Sequence, residues 1–302
     1  MPRSRRIVIA GANGFIGQYL ARRFRAAGDI VETIGRAGAD ATWADPAGIA
    51  RVIDGSDILI NLAGKSVNCR YNEKNKAAIF ASRLETTASL ALAVRDVLSP
   101  PPIWLNASTA TIYRHSDDRP MTDETGEIGS GFSVEVAASW EREFFAGARD
   151  GVRQVAMRMA IVLGDGSALA PLVMLTRLGF GGPQFGGKTG GARQRFSWVH
   201  IEDLYRAIEF IVADAGVAGP INIASPNPVE NRELMATLRR VVGARIGIPL
   251  REWMLKLGAA AIRTETELLL KSRWVVPTRL LEEGFEFEFP RLEPALRDIL
   301  QR

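Results

Sequence analysis

The stretch Arg5-Arg6-Ile7-Val8-Ile9-Ala10 runs directly into Gly11-Ala12-Asn13-Gly14-Phe15-Ile16-Gly17, after which Ile16, Leu20 and Phe24 recur at four-residue spacing. A short β-branched run that ends in a glycine turn and continues at helical spacing reads as strand, turn, helix. The three glycines have separate tasks in such a unit. Gly11 permits the tight turn, Gly14 lets a phosphate approach the backbone, and Gly17 lets helix and strand pack closely. Free N–H groups and the dipole at the helix start favour a pyrophosphate there. With 29 glycines in the chain such a spacing arises by chance, so its meaning rests on the strand before it and the helix after it.

Further apolar runs at Ile30–Ile34, Ala41–Trp43, Asp57–Leu62, Ile103–Ser108 and Val152–Leu163 predict strands. Helical spacing over Asn72–Val97, and again through Val136, Trp140 and Phe144, predicts helices between them. Alternating strands and helices imply an α/β fold, a Rossmann-type doubly wound parallel sheet covered on both faces. After Gly164 come a helical stretch and a glycine-rich loop, Gly179–Gly191, of a length that is usually functional. Trp198–Val212 reads as a strand and a helix, Ile221–Ala224 as a strand, Glu230–Val242 as a helix, and Phe285-Glu286-Phe287-Glu288-Phe289 as a strand-like alternation. The expected division is a dinucleotide-binding domain over 1–164, rejoined by 198–220, and a smaller C-terminal α/β domain over 165–302 on the substrate side.

The 302 residues carry 38 Lys+Arg against 34 Asp+Glu, and the basic residues are scattered among acids. That pattern is a solvated surface rather than a nucleic-acid footprint. A single cysteine, Cys69, excludes a disulfide within the chain, and with His115 and His200 it forms no metal-ligand cluster in the sequence. No uninterrupted apolar run approaches the roughly 20 residues that span a bilayer. The run Ile7–Ala10 stops too early for a secretory h-region. The expectation is a cytoplasmic protein with a small-molecule substrate and neither a nucleic-acid nor a membrane partner.

The choice of dinucleotide turns on the end of the second strand. Ile34-Gly35-Arg36 offers a guanidinium that can grip a 2′-phosphate, where a free 2′-hydroxyl would want an acid, so Arg36 argues for NADP(H). Glu32 lies inside the strand and is not read as a ribose ligand. Asp45, in Ala44-Asp45-Pro46, stands where an adenine amino group could be bound.

Taken in order, Gly11 to Gly17, Asn61-Leu62-Ala63-Gly64, Ser108-Thr109-Ala110 and Phe196-Ser197-Trp198-Val199-His200-Ile201-Glu202-Asp203 resemble an extended, atypical short-chain dehydrogenase/reductase. Ser82-Arg83-Leu84-Glu85-Thr86-Thr87 and the tail Leu269 to Pro277, with Gly284-Phe285-Glu286-Phe287, are similar to the YfcH-like epimerase family, whose C-terminal domain has no assigned function. The resemblance implies an NADP(H)-holding Rossmann domain and a small domain that closes a substrate cleft. It implies cofactor contacts from Gly11, Asn13, Gly14, Phe15, Ile16 and Gly17, from Asn61, Leu62, Ala63, Gly64 and Ser108 at the strand ends, and from Arg36, Arg83 and Arg158.

Typical members of that superfamily use a Ser/Thr, a Tyr and a Lys four residues after the Tyr. On a helix i and i+4 share a face, so the ammonium lowers the phenol pKa and holds the nicotinamide ribose. The four tyrosines here, Tyr19, Tyr71, Tyr113 and Tyr205, are followed four places on by Arg23, Asn75, Asp117 and Glu209, so none has the lysine. Where the pattern places the pair, the chain reads Gly131-Phe132-Ser133-Val134-Glu135-Val136. Thr109 occupies the Ser/Thr position, and Tyr113, Lys65, Glu135 and His200 are the candidates for proton transfer. Lys65 and Arg195 suit an anionic substrate. Two readings stand: an NADP(H)-dependent oxidoreductase or epimerase with a non-standard acid/base group, or a non-catalytic NADP(H)-binding sensor. Substrate and oligomeric state stay open. For the nucleotide, Arg36→Ala should cost roughly 1.5–3 kcal/mol of NADPH affinity, on the order of 10–100-fold by calorimetric titration, with NADH binding unaffected. Equal binding of both nucleotides by the unaltered chain would sink the assignment.

Overall fold

In the computed structural model, which describes residues 3–67, 69–166, 169–185, 194–251 and 272–301, the opening motif is β1 (Arg6–Ala10), the glycine turn, and α1 (Phe15–Ala26). The buried stripe of α1, Gly17, Leu20, Ala21 and Phe24, is the one its apolar spacing predicts. There follow β2 (Ile30–Gly35), β3 (Ala41–Thr42), α2 (Pro46–Ile53), β4 (Ile58–Asn61) and α3 (Glu73–Asp96). Then come β5 (Ile103–Thr109), a 3₁₀ turn (Ala110–Ile112), α4 (Phe132–Ala146), β6 (Arg153–Met159), β7 (Ile161–Leu163), α5 (Leu169–Arg177) and β8 (Gln184–Phe185). The chain continues through β9 (Arg195–Phe196), β10 (Trp198–His200), α6 (Ile201–Ala213), β11 (Gly219–Ile223), β12 (Val229–Glu230), α7 (Asn231–Val242) and β13 (Leu250–Arg251). The last described helices are α8 (Thr278–Glu282) and α9 (Leu292–Leu300).

Seven strands form one sheet in the order β11-β6-β5-β4-β1-β2-β3, every neighbour pair parallel. The doubly wound Rossmann-type architecture is therefore present. The chain leaves β1 toward β2 and β3, then returns to place β4 on the other side of β1, which makes the β1/β4 crevice the topological switch point. Residues of alternate parity face the two layers. Ile7, Ile9, Ile58, Ile60, Leu105 and Met157 pack with Leu20 and Phe24 of α1 and Leu204 and Ile208 of α6. Val8, Ala10, Leu59, Trp104 and Ala156 pack with Ile49 and Val52 of α2, Leu90 of α3 and Phe144 of α4. A third cluster joins Leu163, Val173, Trp198, Leu234, Leu238 and Leu296 in the C-terminal part.

Three details differ from the sequence expectation. The run Val152–Leu163 is broken at Ala160, because β6 stays in the main sheet while β7 pairs with β10. The Phe285–Phe289 alternation is not a strand. Its phenylalanines lean on α6 and its loop, Phe285 on Phe210 and Phe289 on His200, while the buried carboxylate of Asp203 accepts the Glu288 and Phe289 N–H groups at 2.7 and 3.0 Å. Helix α2, which was not expected, starts at Asp45-Pro46, with the Asp45 Oδ1 accepting the Gly48 N–H at 2.9 Å and proline in the first turn. Most of the glycine-rich loop, 186–193, and Leu269 to Lys271 of the tail motif lie outside the described residues. Helix α3 is long and apolar enough by composition to cross a membrane, yet Arg83 and Glu85 interrupt it and it packs between α2 and α4.

Two glycines of the turn differ in what surrounds them. A Cβ on Gly11, whose φ is +83°, would stand 2.8 Å from the Leu62 carbonyl carbon and 2.9 Å from the Ala63 nitrogen. A Cβ on Gly14 would meet nothing nearer than the Gly11 oxygen at 3.5 Å. Gly11→Ala should therefore destabilise the fold by about 2 kcal/mol or more in urea unfolding. Gly14→Ala should leave stability within about 0.5 kcal/mol and weaken dinucleotide binding, since only a ligand fills the space beside it.

Candidate active site

The two turns at the switch point are locked to each other. The Leu62 N–H donates to the Ala10 carbonyl at 2.8 Å and the Gly11 N–H to the Ile34 carbonyl at 2.9 Å, so the ends of β1, β2 and β4 close on one point. Asn61, fully buried, sets the second turn: its Oδ1 accepts the Ala63 N–H at 3.0 Å, and its Nδ2 donates to Asn106 Oδ1 at 2.7 Å and Thr87 Oγ1 at 3.1 Å. Thr87 also accepts the Trp140 indole N–H at 3.0 Å, which ties α3 and α4 to the same turn. Asn61 thus positions the turn from beneath, while Leu62 and Gly64 border the crevice. Asn13 and Gly14 are exposed, Phe15 and Ile16 half-buried, and Gly17 is buried against the Gly11–Ala12 backbone.

Arg36, at the end of β2, is exposed and forms no ion pair or side-chain hydrogen bond among the described residues. Glu32, by contrast, is bound to Arg6 at 2.6 Å. Asp45 spends one carboxylate oxygen on capping α2 and is exposed.

Arg83 has the most unusual environment of the basic residues. Its Nη1 donates only to two backbone carbonyls, Lys65 at 3.1 Å and Ile79 at 3.2 Å, and its guanidinium lies 5.1 Å over the Trp140 ring. Among the described residues no carboxylate pairs with it, and burial pushes its pKa down to about 10. A Cβ on Gly64 would sit 3.2 Å from its Cζ, so the guanidinium covers that turn. Nearby, the Lys65 N–H donates to Ser82 Oγ at 2.8 Å, and the ammonium donates to the neutral Asn75 Oδ1 at 2.9 Å.

Arg158, Ser108 and Tyr113 belong to a different arrangement. Ser108, Arg158 and Asn222 stand in one row across β5, β6 and β11. Glu141 of α4 accepts Ser108 Oγ at 2.5 Å and Arg158 Nε and Nη2 at 2.9 and 2.7 Å. Arg158 Nη1 donates to the Tyr113 hydroxyl at 3.0 Å, and that hydroxyl donates to Asn222 Oδ1 at 2.8 Å. Asn222 Nδ2 in turn donates to the Val276 carbonyl at 3.0 Å, which leaves Oδ1 as the acceptor. The Tyr113 proton is thus committed inside the fold, and burial raises its pKa above the ordinary phenol value. Glu141 was missed in the sequence, although it lies four residues beyond Ala137 on the buried side of α4, an acid on an apolar stripe.

The remaining candidates are dispersed. Thr109 ends β5 half-buried, its Oγ1 accepting the Thr111 N–H at 3.1 Å as cap of the 3₁₀ turn. Glu135 is exposed on the first turn of α4. His200 caps α6 by accepting the Glu202 N–H on Nδ1 at 3.2 Å, lies 3.2 Å from Asp298 of α9 through Nε2, and packs on Phe289. It serves the joint between α6 and the C-terminal helix. Arg195 is stacked 4.5 Å over Trp274 and stands 4.0 Å from Glu230, which binds Arg232 more closely at 2.6 Å.

A doubly wound sheet with a glycine turn at its switch point and a hydroxyl at the end of β5 defines a dinucleotide-binding protein of the short-chain dehydrogenase/reductase type. The sequence profile of the NAD dependent epimerase/dehydratase family matches residues 7–224, and a domain of unknown function (DUF1731) matches residues 252–299. The chain belongs to the NAD dependent epimerase/dehydratase family. It is 32% identical to the human epimerase family protein SDR39U1, over 98% of this chain and 99% of that one. It is 29% identical to the epimerase family protein YfhF of Bacillus subtilis, over 97% of each. A crystal structure of human SDR39U1 (isoform 2) with NADPH superposes with a TM-score of 0.87 at 29% identity, covering 98% of this chain and 99% of that one. The family supports a nicotinamide dinucleotide as the cofactor class.

The Tyr113 network has consequences that separate structure from catalysis. Tyr113→Phe should cost about 1–2 kcal/mol in denaturant unfolding and leave dinucleotide affinity unchanged. Glu141→Ala should cost about 3–5 kcal/mol, because it strands the Arg158 charge beneath α4. A Tyr113→Phe variant of full stability with altered turnover would return Tyr113 to the list of proton donors.

Proposed function

We propose that the protein is an NADP(H)-dependent oxidoreductase or epimerase that works without the Tyr-x-x-x-Lys pair. The observation that carries this reading is an open position at Gly14 of the switch-point turn together with an exposed Arg36 just after β2 that has no ion pair among the described residues. The residues fit the dinucleotide. Gly14 and the first-turn N–H groups of Phe15 and Ile16 would receive the pyrophosphate, Arg36 the 2′-phosphate, and Leu62, Ala63 and Gly64 the sugars. Arg83, a buried cation whose partners are neutral, is suited to an anionic or hydroxyl-rich part of the same ligand. Bound there, the nicotinamide supplies or accepts hydride.

The NADPH in the human relative supports the phosphorylated nucleotide. Thr109 is the hydroxyl best placed to hold a reacting oxygen, while Tyr113, Arg158 and Ser108 act from beneath as positioning residues, a change from the direct roles expected of them. Lys65 and Arg195 favour a small anionic substrate. We read the protein as cytoplasmic, with neither a nucleic-acid nor a membrane partner. The second reading, a nucleotide sensor without turnover, is favoured by the absence of a phenol and an amine in Gly131–Val136.

Mass spectrometry of nucleotide released on denaturation should find NADP(H). Arg83→Met should weaken NADPH binding on the order of 10–100-fold, with near-UV circular dichroism unchanged. A screen of carbonyl and nucleotide-sugar substrates for NADPH oxidation separates the two readings: turnover that falls with Thr109→Ala supports the enzyme, and no turnover on any substrate supports the sensor.

A further inference from the structure

The segment Ser272–Pro277 lies as a strap between the loop after β5 and β9, and a histidine holds its first residue. His115, in that loop, accepts the Ser272 N–H on Nδ1 at 3.2 Å, and its Nε2 lies 2.9 Å from Asp117 Oδ2. Together the two contacts fix the state of the ring. A ring nitrogen that accepts an N–H carries no proton, so the proton of the neutral imidazole sits on Nε2 and is donated to Asp117.

Ser272 is a junction. Fully buried, it donates its Oγ to the Ser116 carbonyl at 2.9 Å and accepts the Arg195 N–H on the same oxygen at 2.9 Å. The Arg273 N–H then donates to the Arg195 carbonyl at 2.9 Å. Whatever loosens Ser272 therefore reaches β9, and with it the stack of Arg195 on Trp274.

Histidine is the side chain that gains a proton between about pH 8 and 5, and the imidazolium has an N–H on both nitrogens. At His115 the second N–H would point at the Ser272 N–H. A hydrogen bond becomes two opposed donors, and a buried amide is left unpaired. Asp117 attracts the charged ring, but it belongs to the same loop two residues away and adjoins the ring whether the strap is fastened or not. An interaction common to both states shifts no equilibrium between them, so the contact with Ser272 decides the direction. The other charges of the loop are engaged: Arg114 donates to the His115 carbonyl at 3.1 Å and pairs with Asp118 and Glu127, Arg119 also binds Glu127, and Asp123 and Glu124 accept the Thr278 hydroxyl beyond the far end of the strap. The strap and β9 contain no carboxylate, and their charged residues, Arg273 and Arg195, have the sign of the imidazolium.

We propose that His115 is a pH-sensitive latch: neutral, it fastens the strap at Ser272 to the loop after β5, and on taking up a proton it releases that end of the strap from the loop and from β9. The latch is independent of the nucleotide reading above.

Amide hydrogen exchange of the full chain, corrected for the intrinsic effect of pH, reads it directly. Between about pH 8 and 5 the protection of the Ser272 amide should fall about tenfold, and that of the Arg195 and Arg273 amides with it. His115→Asn, whose amide oxygen can stand where Nδ1 does but takes up no proton, should keep its protection across the range. An equal fall in His115→Asn, no fall in the wild type, or a fall confined to Ser272 would overturn the proposal. Long-range proton–nitrogen NMR of the wild-type ring at about pH 8 should find the proton on Nε2, and a neutral ring with its proton on Nδ1 would overturn it without recourse to any variant.

Discussion

The backbone of Gly11 lies so close to that of Leu62 and Ala63 that a single methyl group would not fit between them. This approach fixes how the first and fourth strands end. It brings the pyrophosphate-binding turn and the sugar-facing turn to opposite sides of one crevice, and it makes Asn61 indispensable. A turn pressed against another turn must have its own N–H groups answered from within, and Asn61 answers one while it reaches across to β5 through Asn106 and to α3 through Thr87. From Thr87 the connection passes to Trp140, the platform on which Arg83 rests. The geometry of the crevice is thus transmitted to both helices that border it.

Two half-buried arginines show how environment separates roles that composition cannot. Arg158 has a carboxylate, a phenol and a neighbouring serine arranged around it, so its charge is answered inside the protein and it stiffens the row formed by β5, β6 and β11. Arg83 has carbonyls, an indole face and the nearby Tyr71, and no carboxylate among the described residues. A cation held this way is costly in the empty fold and gains most when an anion or a set of hydroxyls arrives.

The C-terminal segment contributes by threading rather than by adding to the main sheet. The Ser272 N–H and Oγ bond to His115 and to the Ser116 carbonyl, and the backbone from Trp274 to Val276 pairs with Met121. On its other side Ser197 Oγ holds the Arg273 carbonyl and the Val275 N–H. The strap therefore fastens the loop after β5 to β9, and it places Trp274 under Arg195. This accounts structurally for the Arg273-Trp274-Val275-Val276-Pro277 motif of the tail.

What the sequence determined by itself was whatever depends on local spacing. The strand, the glycine turn and α1 follow from β-branched residues, three glycines and a four-residue apolar period, and the missing Tyr–Lys pair follows from reading four tyrosines in turn. Only the tertiary structure decided which polar groups are already satisfied. Spacing alone offers Tyr113 and Arg158 for proton transfer and cofactor binding; the structure adds that Asn222 and Glu141, distant in the chain, engage them. The sequence offers His200 as a candidate base; only the structure shows Asp298, nearly a hundred residues on, beside it. The alternation at Phe285–Phe289 mimicked a strand because half-burial against a helix repeats with the same period as a pleat. Periodicity reports which face of an element is buried; it carries no information about what that face meets, because partners are set by contacts between segments far apart in sequence.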